Sequence, residues 1–324
     1  MSFVRLTIAL VLAAACTCSI AQSWTPQKNV ELVVSTSPGG SNDKTARLLE
    51  RIIVRNKLID NTLSIVNKIG AGGSVAGAYI NQRPGDAHHL FIGTPNLISM
   101  HILGQSSSSY HDFTPIASLL NDYVLLAVNA NSSIRNGKDL RERLKVNPQS
   151  VAIGFSSTLG NHHHITTGLV SKAVGGDVRA LKLVVFKGSA DAITALLGGH
   201  IDAVSTSPAN AHAHVAAGKM RVIGVAAPQR IGGALANTPT WREQGVDVVY
   251  GSWRAVMGPR KLAAGQIAYW ENVLRKVTET AEWKADLETN FWSNYFETGA
   301  QFKKDLDREY AETKSVMTEI GLTK

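Results

Sequence analysis

The chain has 324 residues, of which 44% are hydrophobic and 18% charged, with a formal net charge of +8. That is the composition of an ordinary globular protein, and it is too much chain for one typical core, so two domains are expected. Its basic residues are interleaved with acids, as in Arg141-Glu142-Arg143, and form no patch with aromatics. This excludes a nucleic-acid surface and leaves small anions as the partners such a charge steers.

In chain order, Arg5, the apolar run Leu6 to Ala15 and the small-x-small site Ser19-Ile20-Ala21 read as an export signal over residues 1–21, which implies a periplasmic protein. Ten apolar residues are too few to span a bilayer. The alternative is lipid attachment at Cys16. The cut after Ala21 removes both cysteines, Cys16 and Cys18, so no disulfide, thiol nucleophile or cysteine metal site is expected.

Val30 to Val34 is a strand, followed by the glycine turn Ser37-Pro38-Gly39-Gly40-Ser41-Asn42-Asp43 and a helix from Ser41 to about Lys57. Glycines let the backbone turn sharply, and the first N–H groups of a helix lack partners and carry its positive dipole end, so this junction can bind an anion. A plain strand-to-helix turn is the alternative. Strand Thr62 to Val66 leads to Gly70-Ala71-Gly72-Gly73-Ser74 and a short helix. Strand His89 to Gly93 leads to a third junction, Thr94-Pro95-Asn96. Tyr123 to Val128 reads as a buried strand, and then the pattern restarts. A helix from Lys138, strand Val151 to Phe155, a Ser/Gly loop and a helix from Asn161 to about Val174 come first. Strand Leu181 to Phe186, helix Ser189 to Leu197, strand Asp202 to Ser205, a helix from Ser207 and strand Met220 to Ala226 follow. From about Gly265 the pattern is mostly helical. Alternating strands and helices predict an α/β fold with parallel strands.

Few residues nominate chemistry. Gly70 and Gly72 would need a glycine at Val75 for a dinucleotide fingerprint, and Gly72 to Gly77 would need a lysine at Ala78 for a phosphate loop. The segment is then either a second backbone anion cradle or a tight turn. His162-His163-His164 points successive imidazoles about 100° apart on a helix, so they cannot converge on one ion, and no metal is expected. One of them is expected at the first turn near a ligand, with the others facing solvent or core. No Gly-x-Ser-x-Gly elbow is present, and nothing nominates a nucleophile or base, so no enzyme is expected.

Pro38-Gly39-Gly40-Ser41-Asn42-Asp43 with Ala46-Arg47, then Val66-Asn67-Lys68 with Gly70 to Gly73 and Gly77, then Gly160 to His164, stand in an order and spacing that resembles a known family. Gly199 to Ala203, Ala217 to Arg221 and Thr238 to Gly245 continue the match. The family is the tripartite tricarboxylate transporter solute receptors of the Bug (Bordetella uptake gene) type, and the resemblance runs from about Asn29 to Lys324. It implies a two-lobed, periplasmic-binding-protein-like α/β fold. Each lobe is a mainly parallel sheet flanked by helices, and two crossing strands join them. Residues 22–125 plus 224–324 would form lobe 1, and 126–223 lobe 2.

The resemblance also implies a carboxylate-bearing organic acid held in the cleft by main-chain N–H groups, hydroxyls and water. Ser37, Pro38, Gly39, Gly40, Ser41, Asn42, Ala71 and Gly72 would line one wall, with Thr94 and Asn96 from the third junction. Thr158, Gly160, Asn161, His162, Thr206 and Ser207 would line the other. Asp43, whose charge would repel such a ligand, is expected behind the site, accepting from the N–H of Ser41 or Asn42 as in a capping box; His164 is also placed behind it. The polar Ser35-Thr36-Ser37 and the triple histidine depart from the family pattern. The expectation is a monomeric receptor without cofactor that delivers its acid to the membrane subunits of a tripartite tricarboxylate-type transporter. An orphan receptor for a signalling partner and a secreted hydrolase are the rival readings.

Overall fold

The computed structural model describes residues 24–156 and 158–323. The expected export signal and Cys16 lie outside the described residues. The first part of the chain builds β1 (Val30–Val34), α1 (Ser41–Arg55), β2 (Leu63–Asn67), α2 (Ser74–Asn81), β3 (His89–Gly93), α3 (Asn96–Ile102) and β4 (Phe113–Tyr123). The middle part builds β5 (Leu125–Asn129), α4 (Gly137–Val146), β6 (Ala152–Ser156), α5 (His162–Ala173), β7 (Lys182–Phe186), α6 (Ser189–Leu197), β8 (Ala203–Thr206), α7 (Pro208–Ala216) and β9 (Met220–Val225). The last part adds β10 (Gly251–Pro259), α8 (Ala264–Glu279), α9 (Ala281–Asn290), β11 (Ser293–Thr298) and α10 (Gly299–Glu319).

These strands form two sheets, one per lobe, in the orders β11-β4-β10-β3-β1-β2 and β7-β6-β8-β5-β9. The two-lobed α/β architecture expected from the sequence is observed, with mixed rather than mainly parallel sheets. β1 pairs in parallel with β2 and β3, and β6 with β7 and β8, while the strands at and after the crossings pair antiparallel. Parallel neighbours that follow each other in the chain need a crossover, which the helices after β1, β2 and β6 supply, whereas the strands outside these units pair without one. The buried apolar run Val30-Glu31-Leu32-Val33-Val34 is what a parallel strand covered on both faces requires. On one face lie Leu48, Ile52, Trp270 and Trp283; on the other lie Phe91, Phe113, Trp253 and Phe302.

The chain first crosses at Val124, a single buried residue between β4 and β5. It returns later than the expected 224. Ala226, Trp241, Val246 and Val248 pack on the second lobe's core beside Leu126 and Ile153, so the return falls just before Gly251. Three strands were not expected. β4 contains Pro115 and lacks alternation, β10 carries Gly251, Arg254 and Pro259, and β11 interrupts a stretch read as helical. Proline and glycine normally argue against a central strand, and here burial of both faces overrides that preference.

Candidate functional site

Five helices begin immediately after the carboxyl ends of strands: α1 after β1, α3 after β3, α5 after β6, α6 after β7 and α7 after β8. Open α/β sheets bind ligands at that end. The starts converge on one interlobe cleft with a cavity volume of about 320 Å³. Gly39, Gly40, Ser41, Asn42, Thr94 and Asn96 line it from the first lobe, and Asn161, His162, Ser189 and Ser207 from the second.

The first wall is shaped by Asp43. Gly39 turns at φ +80°, a conformation that favours glycine, and its N–H donates to Asp43 Oδ2 at 2.8 Å. The same carboxylate accepts from Arg47 Nε at 2.8 Å and from Asn67 Nδ2 at 3.0 Å. Burial pushes the Asp43 pKa up, but the bonds from Arg47, Asn67 and Gly39 outweigh it, and the carboxyl stays below its usual range. Asp43 therefore holds the loop from behind, and its loop contact is Gly39 N–H rather than that of Ser41 or Asn42. The Gly40 N–H is also engaged, donating to Ser37 O at 3.0 Å. The N–H groups of Ser41, Asn42 and Asp43 have no backbone partner among the described residues. These are the donors α1 can offer an anion, with its dipole behind them.

The second wall repeats the device. Asn161 caps α5, its Oδ1 accepting from His164 N at 3.1 Å while its Nδ2 donates to Ser156 O at 2.7 Å. Gly160, at φ +79°, donates its N–H to His164 Nδ1 at 2.9 Å. That bond requires a neutral His164 with its proton on Nε2. Burial pushes both His163 and His164 down to about 4. Burial also holds His162 well below the usual imidazole value, with His163 and Arg254 adding to the effect. His162 and His163 both line the cleft as neutral groups, whereas His164 stacks on Phe155 in the core. One cleft histidine was expected; there are two.

The floor comes from the unexpected strands. Asp122 on β4 and Ser252 on β10 are cross-strand partners, and Arg254 lies two residues on, next to a register shift. A bulge of this kind re-aims side chains. Arg254 Nη2 donates to Asp122 Oδ2 at 3.1 Å with both side chains buried, and the guanidinium lies over the Trp292 ring at 5.2 Å. Burial pushes the Asp122 carboxyl up more than the Arg254 charge and hydrogen bond bring it down. Among the described residues, Thr36 Oγ1, Asp122 Oδ1, His163 Nδ1, Arg254 Nε and Trp292 Nε1 are buried without a hydrogen-bond partner, and all five residues line the cleft. Buried polar atoms are ordinarily paired, so this concentration marks a place built for a ligand or water.

The remaining expected residues do not line the cleft. Ser37 and Pro38 open the turn that the Gly40 N–H closes on Ser37 O. Ala71 and Gly72 form a tight turn in which a Gly72 side chain would meet Met100 at 2.9 Å, and Gly72 O instead accepts from the cleft residue Asn96. Thr158 and Gly160 precede the cap, and Thr206 lies behind Ser207. Thr36, Lys44, Ser156, His163, Ser189 and Asn210 line the cleft unannounced, as do the floor residues Asp122, Ser252, Arg254, Asn290 and Trp292. Ser189 stands at a strand-to-helix junction like the others and was findable on that rule. A clue to the floor was also present, since Asp122 and Arg254 are charges inside apolar runs.

The arrangement offers hydroxyls, amides, neutral imidazoles and helix N–H groups. No serine hydroxyl among the described residues bonds an imidazole ring, and no group of three metal-ligating side chains occurs among them. A family model described as the tripartite tricarboxylate transporter family receptor matches residues 49–322. BugT of Bordetella pertussis is 26% identical over 241 residues, 72% of each chain. The solved structure of R. palustris Rpa4515 with adipate is similar with a TM-score of 0.79 at 23% identity, covering 91% of this chain and 98% of that one. MatC (Rpa3494) from Rhodopseudomonas palustris with bound malate is similar with a TM-score of 0.75 at 20% identity, covering 90% of this chain and 99% of that one.

Proposed function

The chain belongs to the tripartite tricarboxylate transporter receptor family, and from that premise we propose that its cleft binds a small carboxylate-bearing organic acid, closes around it and delivers it to the membrane subunits of such a transporter. The observation that carries the reading is the convergence of helix starts from both lobes on one cleft, lined by Ser41 and Asn42, whose N–H groups have no backbone partner among the described residues, and by Asn161 and His162 of the α5 start. A carboxylate at these positive dipole ends needs no fixed countercharge, and two walls that each hold part of the ligand make closure favourable only when it is bound. The exposed Lys44 at the rim and the basic net charge steer an anion inward. Adipate and malate, bound by the two relatives, are acids of this kind.

In the same reading the protein is a monomer without cofactor and performs no chemistry of its own. Residues 1–21 direct it to the periplasm and are removed. Among the described residues no helix is long and apolar enough to cross a membrane. Thermal unfolding in the presence of organic acids tests the proposal. A ligand at a hundred times its dissociation constant adds roughly 2.7 kcal/mol of stability. Dicarboxylates and hydroxy acids are expected to raise the melting temperature while the corresponding amides and neutral sugars leave it unchanged. Stabilisation by sugars and by no acid would overturn the carboxylate reading.

A further inference from the structure

The helix starts account for a carboxylate but leave the charged floor of the cleft unused. Asp122 and Arg254 share one hydrogen bond, Nη2 to Oδ2 at 3.1 Å, although a guanidinium and a carboxylate can form two in parallel. The second oxygen, Asp122 Oδ1, has no partner at hydrogen-bond distance among the described residues, although the Trp292 side chain lies against the same carboxyl and favours its ionised form, and Arg254 Nε donates to nothing among them. Both side chains are more than nine-tenths buried, at 7% and 3% exposure. Among the described residues Arg254 Nη1 donates only to Ser252 O, at 3.3 Å. One unmet acceptor and one unmet donor thus flank a single bond on the floor of a ligand cleft. Such valences are costly to bury and are met when a ligand supplies the complements.

The complement is specific. Nε asks for an acceptor and Oδ1 asks for a donor, and the two lie on side chains already bonded to each other, so a ligand that presents both groups on neighbouring atoms meets both at once. A carboxylate oxygen and a donor on the adjacent carbon meet that need. A simple alkane diacid has only acceptors, so whichever end reached Arg254 would set oxygen against the oxygen of Asp122. Resting on the proposal that the cleft takes an organic acid, we propose that the Asp122–Arg254 pair selects acids bearing a hydrogen-bond donor, a hydroxyl or an ammonium, on the carbon next to a carboxylate.

Calorimetry on the mature chain with matched sets tests this: succinate, malate and aspartate, then glutarate, 2-hydroxyglutarate and glutamate. In each set the hydroxy or amino member is expected to bind at least tenfold more tightly than its parent diacid, and which of the two leads identifies the donor. The double variant Asp122→Leu with Arg254→Met removes both charges together and leaves neither buried alone. It is expected to melt as a folded protein and to bind donor-bearing and parent acids within twofold of each other. Parent diacids that bind the wild-type chain as tightly as their hydroxy and amino analogues would overturn the inference while leaving the organic-acid reading intact. Discrimination that survives in the folded double variant would do the same. Failure of every acid to bind would overturn both.

Discussion

At the scale of single residues, the site depends on groups kept neutral by burial. His164 holds the Gly160 turn only as an unprotonated acceptor, and its pKa is depressed to about 4, as is that of His163. The unfolded chain takes up these protons near the ordinary value of about 6.5, whereas the folded protein resists until about pH 4. Each histidine therefore lends stability that is fully present above pH 6.5 and is lost as the pH falls toward 4, by about 1 kcal/mol at pH 5.5. His164→Asn keeps an acceptor for Gly160 but does not titrate. Denaturant unfolding at pH 7.5 and 5.5 should show a drop smaller by about 1 kcal/mol in that variant than in the wild type; equal drops would contradict the assignment. The triple histidine was visible as a motif, but which imidazoles faced the cleft depended on the rotation of α5 and on Phe155 behind it.

At the scale of elements, the strand-to-helix junction is the repeated unit of the cleft. The cap at Asn161 makes this measurable, because Asn136 caps α4 in the same way, accepting from Asp139 N at 2.9 Å, yet does not line the cleft. Asn161→Ala and Asn136→Ala should each cost about 1 kcal/mol of stability. Only the first should weaken acid binding, since it frees the turn that aims the N–H groups of His162 and His163. Calorimetry beside denaturant unfolding separates the two effects, and equal losses of affinity would show that the α5 start does not hold the ligand. These junctions were legible because a buried parallel strand, a glycine or serine turn and a helix leave local signatures. In β4 and β10 proline and glycine masked the apolar runs, and the floor residues Asp122, Ser252 and Arg254 went unread with them.

At the scale of the whole molecule, the two crossings and the floor of the cleft meet where β4 and β10 run side by side. Gly251, at the return crossing, has no room for a side chain: a Cβ there would lie 2.4 Å from Asn121 Oδ1 and 3.1 Å from the backbone oxygen of Asp122. Gly251→Ala should therefore destabilise the fold by about 1–3 kcal/mol as an overpacked site. It should also weaken ligand binding, because the backbone that must yield carries Asp122. A variant that unfolds and binds as the wild type does would show that the crossing and the floor are uncoupled. The α/β class and the donor-rich loops follow from the order of residues along the chain, since strand burial, glycine turns and helix starts are decided within some twenty neighbours. Which N–H groups stay open was settled by Asp43 reaching back to Gly39 and by His164 reaching back to Gly160. The charged floor was settled by pairing residues more than a hundred positions apart. Local sequence specifies what a segment offers; the burial and pairing that complete or leave open each valence exist only once distant strands lie side by side.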